Sequence, residues 1–142
     1  LNATAIKVAS GAARVPLAEL IRAQFQLSVG PTGQAWRRLK HPRARGRANK
    51  GGPLYASGEL REQASSPVVL GDSLVIVVNH PGAVVHLYGS KGRSAGARDA
   101  RGRFVSAGRI PARPYLPLKS LPAPWAKGLA TAATTALRAE LR

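Results

Sequence analysis

Positive charge in this chain is gathered rather than spread, and that limits where a core can form. From Arg37 to Lys50 there are seven basic residues (Arg37, Arg38, Lys40, Arg43, Arg45, Arg47, Lys50) and no acid. From 89 to 109 there are six more (Lys91, Arg93, Arg98, Arg101, Arg103, Arg109), opposed only by Asp99. Both stretches are punctuated by Gly, the first also by Pro42 and Pro53, so neither reads as a regular element. They predict long basic loops at about 37–53 and 89–109 on a single domain spanning 1–142. The 142 residues suit one core, and a 44% hydrophobic content allows the segments outside these loops to build it.

Between the loops the elements are readable. Pro16 suits a first helical turn, because it has no amide hydrogen to lose. Leu17, Leu20, Ile21 and Phe25 then form one helical stripe, and Gly30-Pro31-Thr32-Gly33 ends it. Residues 1–15, Ala-rich and interrupted by Ser10-Gly11, stay ambiguous. A short helical turn is expected around Ser57–Ala64. Val68–Leu70, the turn Gly71-Asp72 and Leu74–Val78 predict a β-hairpin. Its second strand is apolar at every position, which predicts cover on both faces or a place at a subunit interface. Phe104-Val105 reads as a short strand. Prolines 111, 114, 117, 122 and 124 exclude a helix until Trp125, after which Leu129, Ala133, Ala136, Leu137 and Leu141 define a C-terminal one. The fold class is α+β: a small, mainly antiparallel sheet packed with an N-terminal and a C-terminal helix.

Catalytic patterns are weak. Glu59 and Glu62, at i and i+3 on a short turn, read as a solvated face. His80 and His86 lack a third ligand nearby, and His41 sits among cations that disfavour its charged form. There is no nucleophile elbow and no phosphate-binding loop signature, and Gly89–Gly96 lacks the strand-to-helix setting of one. No catalytic, metal or cofactor residue is assigned, and no enzyme activity is expected. With no cysteine, disulfides and thiolate sites are excluded. No run reaches the ~18 apolar residues of a membrane span, and Leu1-Asn2-Ala3-Thr4 lacks the layout of a signal peptide. The absence of an initiating Met points to a trimmed chain.

A net charge of +16 calls for a polyanion or an acidic neighbour. Arg-rich arms suit phosphate, but aromatic residues are only 5%, and none interleaves the first arm as a stacking platform for single strands would require. Backbone contact through the arms and docking against acidic protein both stay open. The candidate contacts are Arg37, Arg38, Lys40, Arg43, Arg45, Arg47, Lys50, Lys91, Arg93, Arg98, Arg101 and Arg103.

Four stretches, in order, resemble the phage virion morphogenesis (tail completion) family of Mu-like and related tailed phages. Pro31-Thr32-Gly33-Gln34-Ala35-Trp36 resembles that family's Pro-Asp-Gly-x-x-Trp, with Thr32 in place of Asp. Leu54-Tyr55-Ala56-Ser57-Gly58-Glu59-Leu60 is similar to its Leu-x-x-Thr-Gly-x-Leu. Asn79 followed by Val85-His86-Leu87-Tyr88-Gly89 looks like its Asn before Ile-His-Gln-Phe-Gly, with Leu87 in place of Gln. Ile110-Pro111-Ala112-Arg113-Pro114-Tyr115-Leu116 resembles its Ile-Pro-Ala-Arg-Pro-Phe-Leu. The resemblance implies a structural virion protein of the neck or tail top that completes the tail and joins it to the head. It implies a homo-oligomeric ring of about six copies, partnered by neighbouring neck and tail proteins, around a DNA channel. It also implies assembly in the host cytoplasm and residence in the virion. Trp36, His86, Arg113 and Tyr115 are the expected subunit or assembly contacts, although Trp36 reads rather as core, His86 rather as a packed histidine, and Arg113 fits at least as well as an anchor inside the fold. A basic RNA-binding protein of ribosomal type is the alternative, and a cell-wall hydrolase a third reading.

Overall fold

In the computed structural model, residues 3–37, 54, 58–90, 110–140 and 142 are described. Helix α1 spans Ala3–Leu27, α2 Glu59–Ala64, α3 Ala83–Tyr88 and α4 Ala123–Glu140. Strands β1 (Val68–Leu70) and β2 (Ser73–Val75) form an antiparallel hairpin in the register Val68↔Val75, Val69↔Leu74, Leu70↔Ser73. The architecture is α+β. Helix α4 lies along α1, and the hairpin packs on the same helix.

Helix α1 starts thirteen residues earlier than the stripe alone predicts, and Pro16 lies inside it. Proline removes the hydrogen bond to the carbonyl four residues back and crowds that turn, so Pro16 signals a helix start when read by itself. The Ala-rich stretch before it has high helix propensity, and α1 packs along α4, which offsets the loss. The helix stops at Ser28, whose φ of 55° is left-handed. Val29 N donates to Gln24 O at 3.0 Å and Ser28 N to Phe25 O at 3.4 Å, satisfying carbonyls of the last turn in a Schellman arrangement.

The core joins Leu17, Ile21 and Phe25 of α1 with Trp36, Leu54, Leu60 and Ala64, Ala83, Tyr115 and Trp125. Helix α4 starts at Ala123, two residues before the expected Trp125, because Pro124 fits a first helical turn; Trp125 is buried in this cluster and Leu129 packs at its margin.

The hairpin departs from expectation in length. Hydrogen-bonded pairing ends at Val75 rather than Val78. Side-chain alternation nevertheless continues: Leu74, Ile76 and Val78 pack against the core, while Val77 is 62% exposed. Within the described residues of one chain the run is thus covered on one face, not on both. The helix α3 was not anticipated, because Val84 and Val85 carry strand propensity. It begins where His80 Nδ1 accepts the Gly82 amide at 3.0 Å and Ala83 N donates to His80 O at 2.9 Å. The strand expected at Phe104-Val105, and nearly all of both basic loops, lie outside the described residues.

Candidate functional site

The stretches Pro31–Trp36, Val85–Gly89 and Ile110–Leu116 meet at one junction beside the end of α1. After Ser28 the chain doubles back in a tight loop: Gly30 N donates to Gln34 O at 2.8 Å, Gly33 N to Gly30 O at 2.9 Å and Trp36 N to Ser28 O at 2.8 Å. Gly33, at φ 79°, supplies the left-handed turn residue. This loop returns Trp36 over α1, where its ring meets Phe25 edge-on at 5.4 Å between centroids. Phe25 also contacts the Tyr115 ring at 5.9 Å. Such edge and tilted arrangements suit the quadrupoles of the rings and add to the area they bury.

The proline-held arm docks on this cluster through its backbone. Trp36 Nε1 donates to Pro114 O at 3.0 Å. Arg113 N donates to His86 O at 2.7 Å, and Arg113 Nε to Arg37 O at 3.0 Å. Tyr115 Oη donates to Ala83 O at 3.4 Å. Ser90 N donates to Ile110 O at 2.9 Å, where the two residues form an isolated antiparallel bridge. Proline fixes φ and biases the residue before it to extended backbone. Pro111 and Pro114 therefore present these groups in an extended segment at little entropic cost.

Two glycines permit the close approach. A Cβ on Gly30 would lie 3.1 Å from Pro114 O. Gly89 has φ 77°, and a Cβ there would lie 2.9 Å from both Ala112 N and Ile110 O.

Three of the four expected subunit contacts are thus internal anchors of one chain. Trp36, Arg113 and Tyr115 are all buried, and their polar atoms bond to the same chain. The physical reason is the arm itself, which carries Arg113 and Tyr115 inward on an extended backbone instead of presenting them to solvent. His86 is half-buried. Burial, and then the charge of Arg37, lower the Arg113 pKa from its ordinary value. Burial, and then neighbouring Tyr88, raise that of Tyr115. Of the candidate DNA or neighbour contacts, Arg37 is exposed; Arg38, Lys40, Arg43, Arg45, Arg47, Lys50, Lys91, Arg93, Arg98, Arg101 and Arg103 lie outside the described residues.

The structure brings His80 and His86 together: a Cβ on Gly82 would lie 3.2 to 3.3 Å from atoms of both imidazoles. Spacing six apart did not reveal this, because the turn at Pro81-Gly82 folds one back over the other. No group of three or more His, Asp or Glu side chains suited to a metal ion occurs among the described residues. Glu59 bonds through Oε1 to Gln63 Nε2 at 3.2 Å, and Glu62 pairs with Arg61 at 2.6 Å. Both side chains are thus engaged on the surface of α2. An apolar groove of about 620 Å³ lies between α1, α4, β2 and the segment after Leu116, lined by Ala13, Leu17, Ile76, Leu121 and Leu129, with Lys119 at its rim. It offers van der Waals contact and no acid or base pair. Among the described residues no helix is long and apolar enough to cross a membrane. No family model, curated protein or solved structure matches the chain.

Proposed function

We propose that this chain is a structural, non-enzymatic virion protein of a tailed phage, forming a ring of about six copies at the neck or tail top that completes the tail and joins it to the head. The supporting observation is convergence. The stretches that carry the resemblance are far apart in sequence, yet Trp36 bonds to Pro114, Arg113 to His86, and Tyr115 to Ala83 just before Val85. Leu54 and Leu60, from the remaining stretch, share their core. One mechanical unit is what a binding component needs: a braced body from which basic loops reach packaged DNA or neighbouring rings.

The test is particle content. Mass spectrometry of purified virions should contain the chain at ring stoichiometry, and a cryo-EM reconstruction of the neck should hold a ring that its fold fits. Absence from particles together with co-sedimentation on ribosomes would select the RNA-binding alternative.

A further inference from the structure

Arg113 carries a charge that its surroundings leave uncompensated. The residue is 3% exposed, and of its guanidinium only Nε is engaged among the described residues, on Arg37 O at 3.0 Å. Neither Nη has a hydrogen-bond or ion-pair partner there, and the one ion pair between described side chains joins Arg61 to Glu62. A guanidinium taken out of water is ordinarily paired, because burial without a counter-charge is costly.

The sequence explains why no counter-charge comes from the junction itself. The three stretches that form it, 28–37, 80–90 and 110–118, contain no Asp or Glu. They bring a second cation instead: Arg37, exposed and close enough for its charge to act on Arg113. The chain's acids are placed elsewhere. Glu59 and Glu62 are engaged on α2, and Asp72 sits at the hairpin turn, where its Oδ1 accepts from Ser73 Oγ at 2.9 Å. Glu19 and Glu140 are exposed on α1 and α4, and only Asp99 lies outside the described residues. Two cations side by side repel, and an anion lying against both offsets that repulsion.

The geometry also sets the shape of the missing anion. Pro111 and Pro114 hold the backbone, Arg113 N is fixed on His86 O at 2.7 Å, and the Nε bond restrains the guanidinium plane. What remains is the end-on pair of Nη groups, a flat fork that matches the two oxygens of a carboxylate. A side-chain carboxylate stands on a slender stem and enters where little of Arg113 is open, whereas a duplex phosphate is embedded in a wide backbone. We propose that the Arg113 Nη pair, with Arg37 beside it, forms a carboxylate-binding site that takes the Asp or Glu side chain of another protein chain. The identity of that neighbour rests on the ring reading above, to which the site adds the chemistry of docking.

Heteronuclear NMR of the arginine side chains in the intact chain tests it, since Arg113 Nε–H, held on Arg37 O, reports on its own site. A blocked glutamate (N-acetylglutamate N-methylamide) is titrated in at constant ionic strength. It should move that signal saturably, with half-saturation on the order of 1 to 10 mM, as two charge-assisted hydrogen bonds allow. Blocked glutamine, of the same shape but uncharged, should leave the signal in place. Arg37→Gln removes a charge but keeps the carbonyl that anchors Nε, so it should leave the circular dichroism unchanged and weaken binding by about twofold to fivefold. Asp99→Asn should alter neither the signal nor the titration. No saturation by ~100 mM overturns the proposal, as does an equal response to blocked glutamine. An altered Arg113 signal in Asp99→Asn overturns it by assigning the fork to the chain's own acid. A signal moved by a short DNA duplex overturns it by assigning the fork to phosphate. The readout uses the isolated chain, so this inference can fail while particle content upholds the ring reading, and the reverse.

Discussion

The Trp36 indole and the Pro114 carbonyl, 78 residues apart in sequence, are joined by a 3.0 Å hydrogen bond that pins the proline-held arm to the end of α1. Trp36→Phe keeps an aromatic ring against Phe25 but removes the donor. The expected cost is about 1 to 3 kcal/mol, the penalty for leaving a partly buried carbonyl unsatisfied. Urea unfolding monitored by far-UV circular dichroism measures it, and an unchanged midpoint would show that the bond contributes nothing.

Arg113 makes a comparable link through its guanidinium, to Arg37 O. Arg113→Ala should destabilise the domain by about 1 to 3 kcal/mol, read from the urea midpoint. Arg113→Lys should not restore it, since a compact ammonium is more strongly hydrated than a guanidinium and tolerates the buried site less well. Full rescue by Lys would mean that charge, rather than the Nε geometry, matters there.

Gly33 and Gly89 share almost the same φ but differ in surroundings. Gly33→Ala meets nothing within 4 Å, so it should cost only the left-handed backbone penalty of about 1 to 2 kcal/mol. Gly89→Ala adds contacts of 2.9 Å to the backbone of the arm and should cost distinctly more. Equal melting temperatures for the two variants would refute this account of the α3-to-arm approach.

Tyr115 gives the fold an alkaline limit. Its pKa is raised in the folded chain, so the folded state holds the phenolic proton more tightly than the unfolded state does. The corresponding stability is fully present below the ordinary tyrosine value of about 10 and is lost as pH rises through the raised one. The melting temperature should fall between about pH 8 and 11, the range that brackets the ordinary tyrosine value, in part through this group. Tyr115→Phe should flatten the decline while costing about 0.5 to 1.5 kcal/mol at neutral pH for the lost bond to Ala83 O. A decline identical in both proteins would assign it elsewhere.

If the basic loops meet packaged DNA, the contact is with phosphate and independent of sequence. With about half of the thirteen clustered cations engaged, log affinity should fall against log salt with a slope of roughly −6. Glu substitution at Arg43, Arg45 and Arg47 should flatten that slope. Fluorescence titrations on two unrelated duplexes check it; a salt-insensitive affinity or a marked preference for one duplex would exclude channel lining.

How much of this was legible in the sequence depends on range. The stripe Leu17–Phe25, the hairpin turn at Gly71-Asp72 and the body of the C-terminal helix are set by neighbours a few residues away, and each could be read directly, although that helix begins at Ala123 rather than after Pro124. Pro16 misled because its effect depends on a partner helix more than a hundred positions later. The α3 helix was missed because strand propensity at Val84 and Val85 was overridden by the Gly82 turn. At the site, the prolines around Arg113 did signal a rigid arm. That its side chain would turn inward, to Arg37 O rather than to another subunit, required the positions of both α1 and α3, which no local pattern contains.

The pairing of α1 with α4 also sets the order of events during synthesis. Helix α4 begins 96 positions after α1 ends (123 − 27). At translation speeds of about 5 to 20 residues per second, the stripe of α1 waits roughly 5 to 20 s for α4, covered meanwhile only by what the earlier core residues such as Trp36 and Leu60 supply. A nascent chain in that interval displays Leu17, Ile21 and Phe25 beside a strongly cationic stretch. Ribosome-bound chaperones that hold apolar helices until release would therefore govern how much of the protein reaches its folded state.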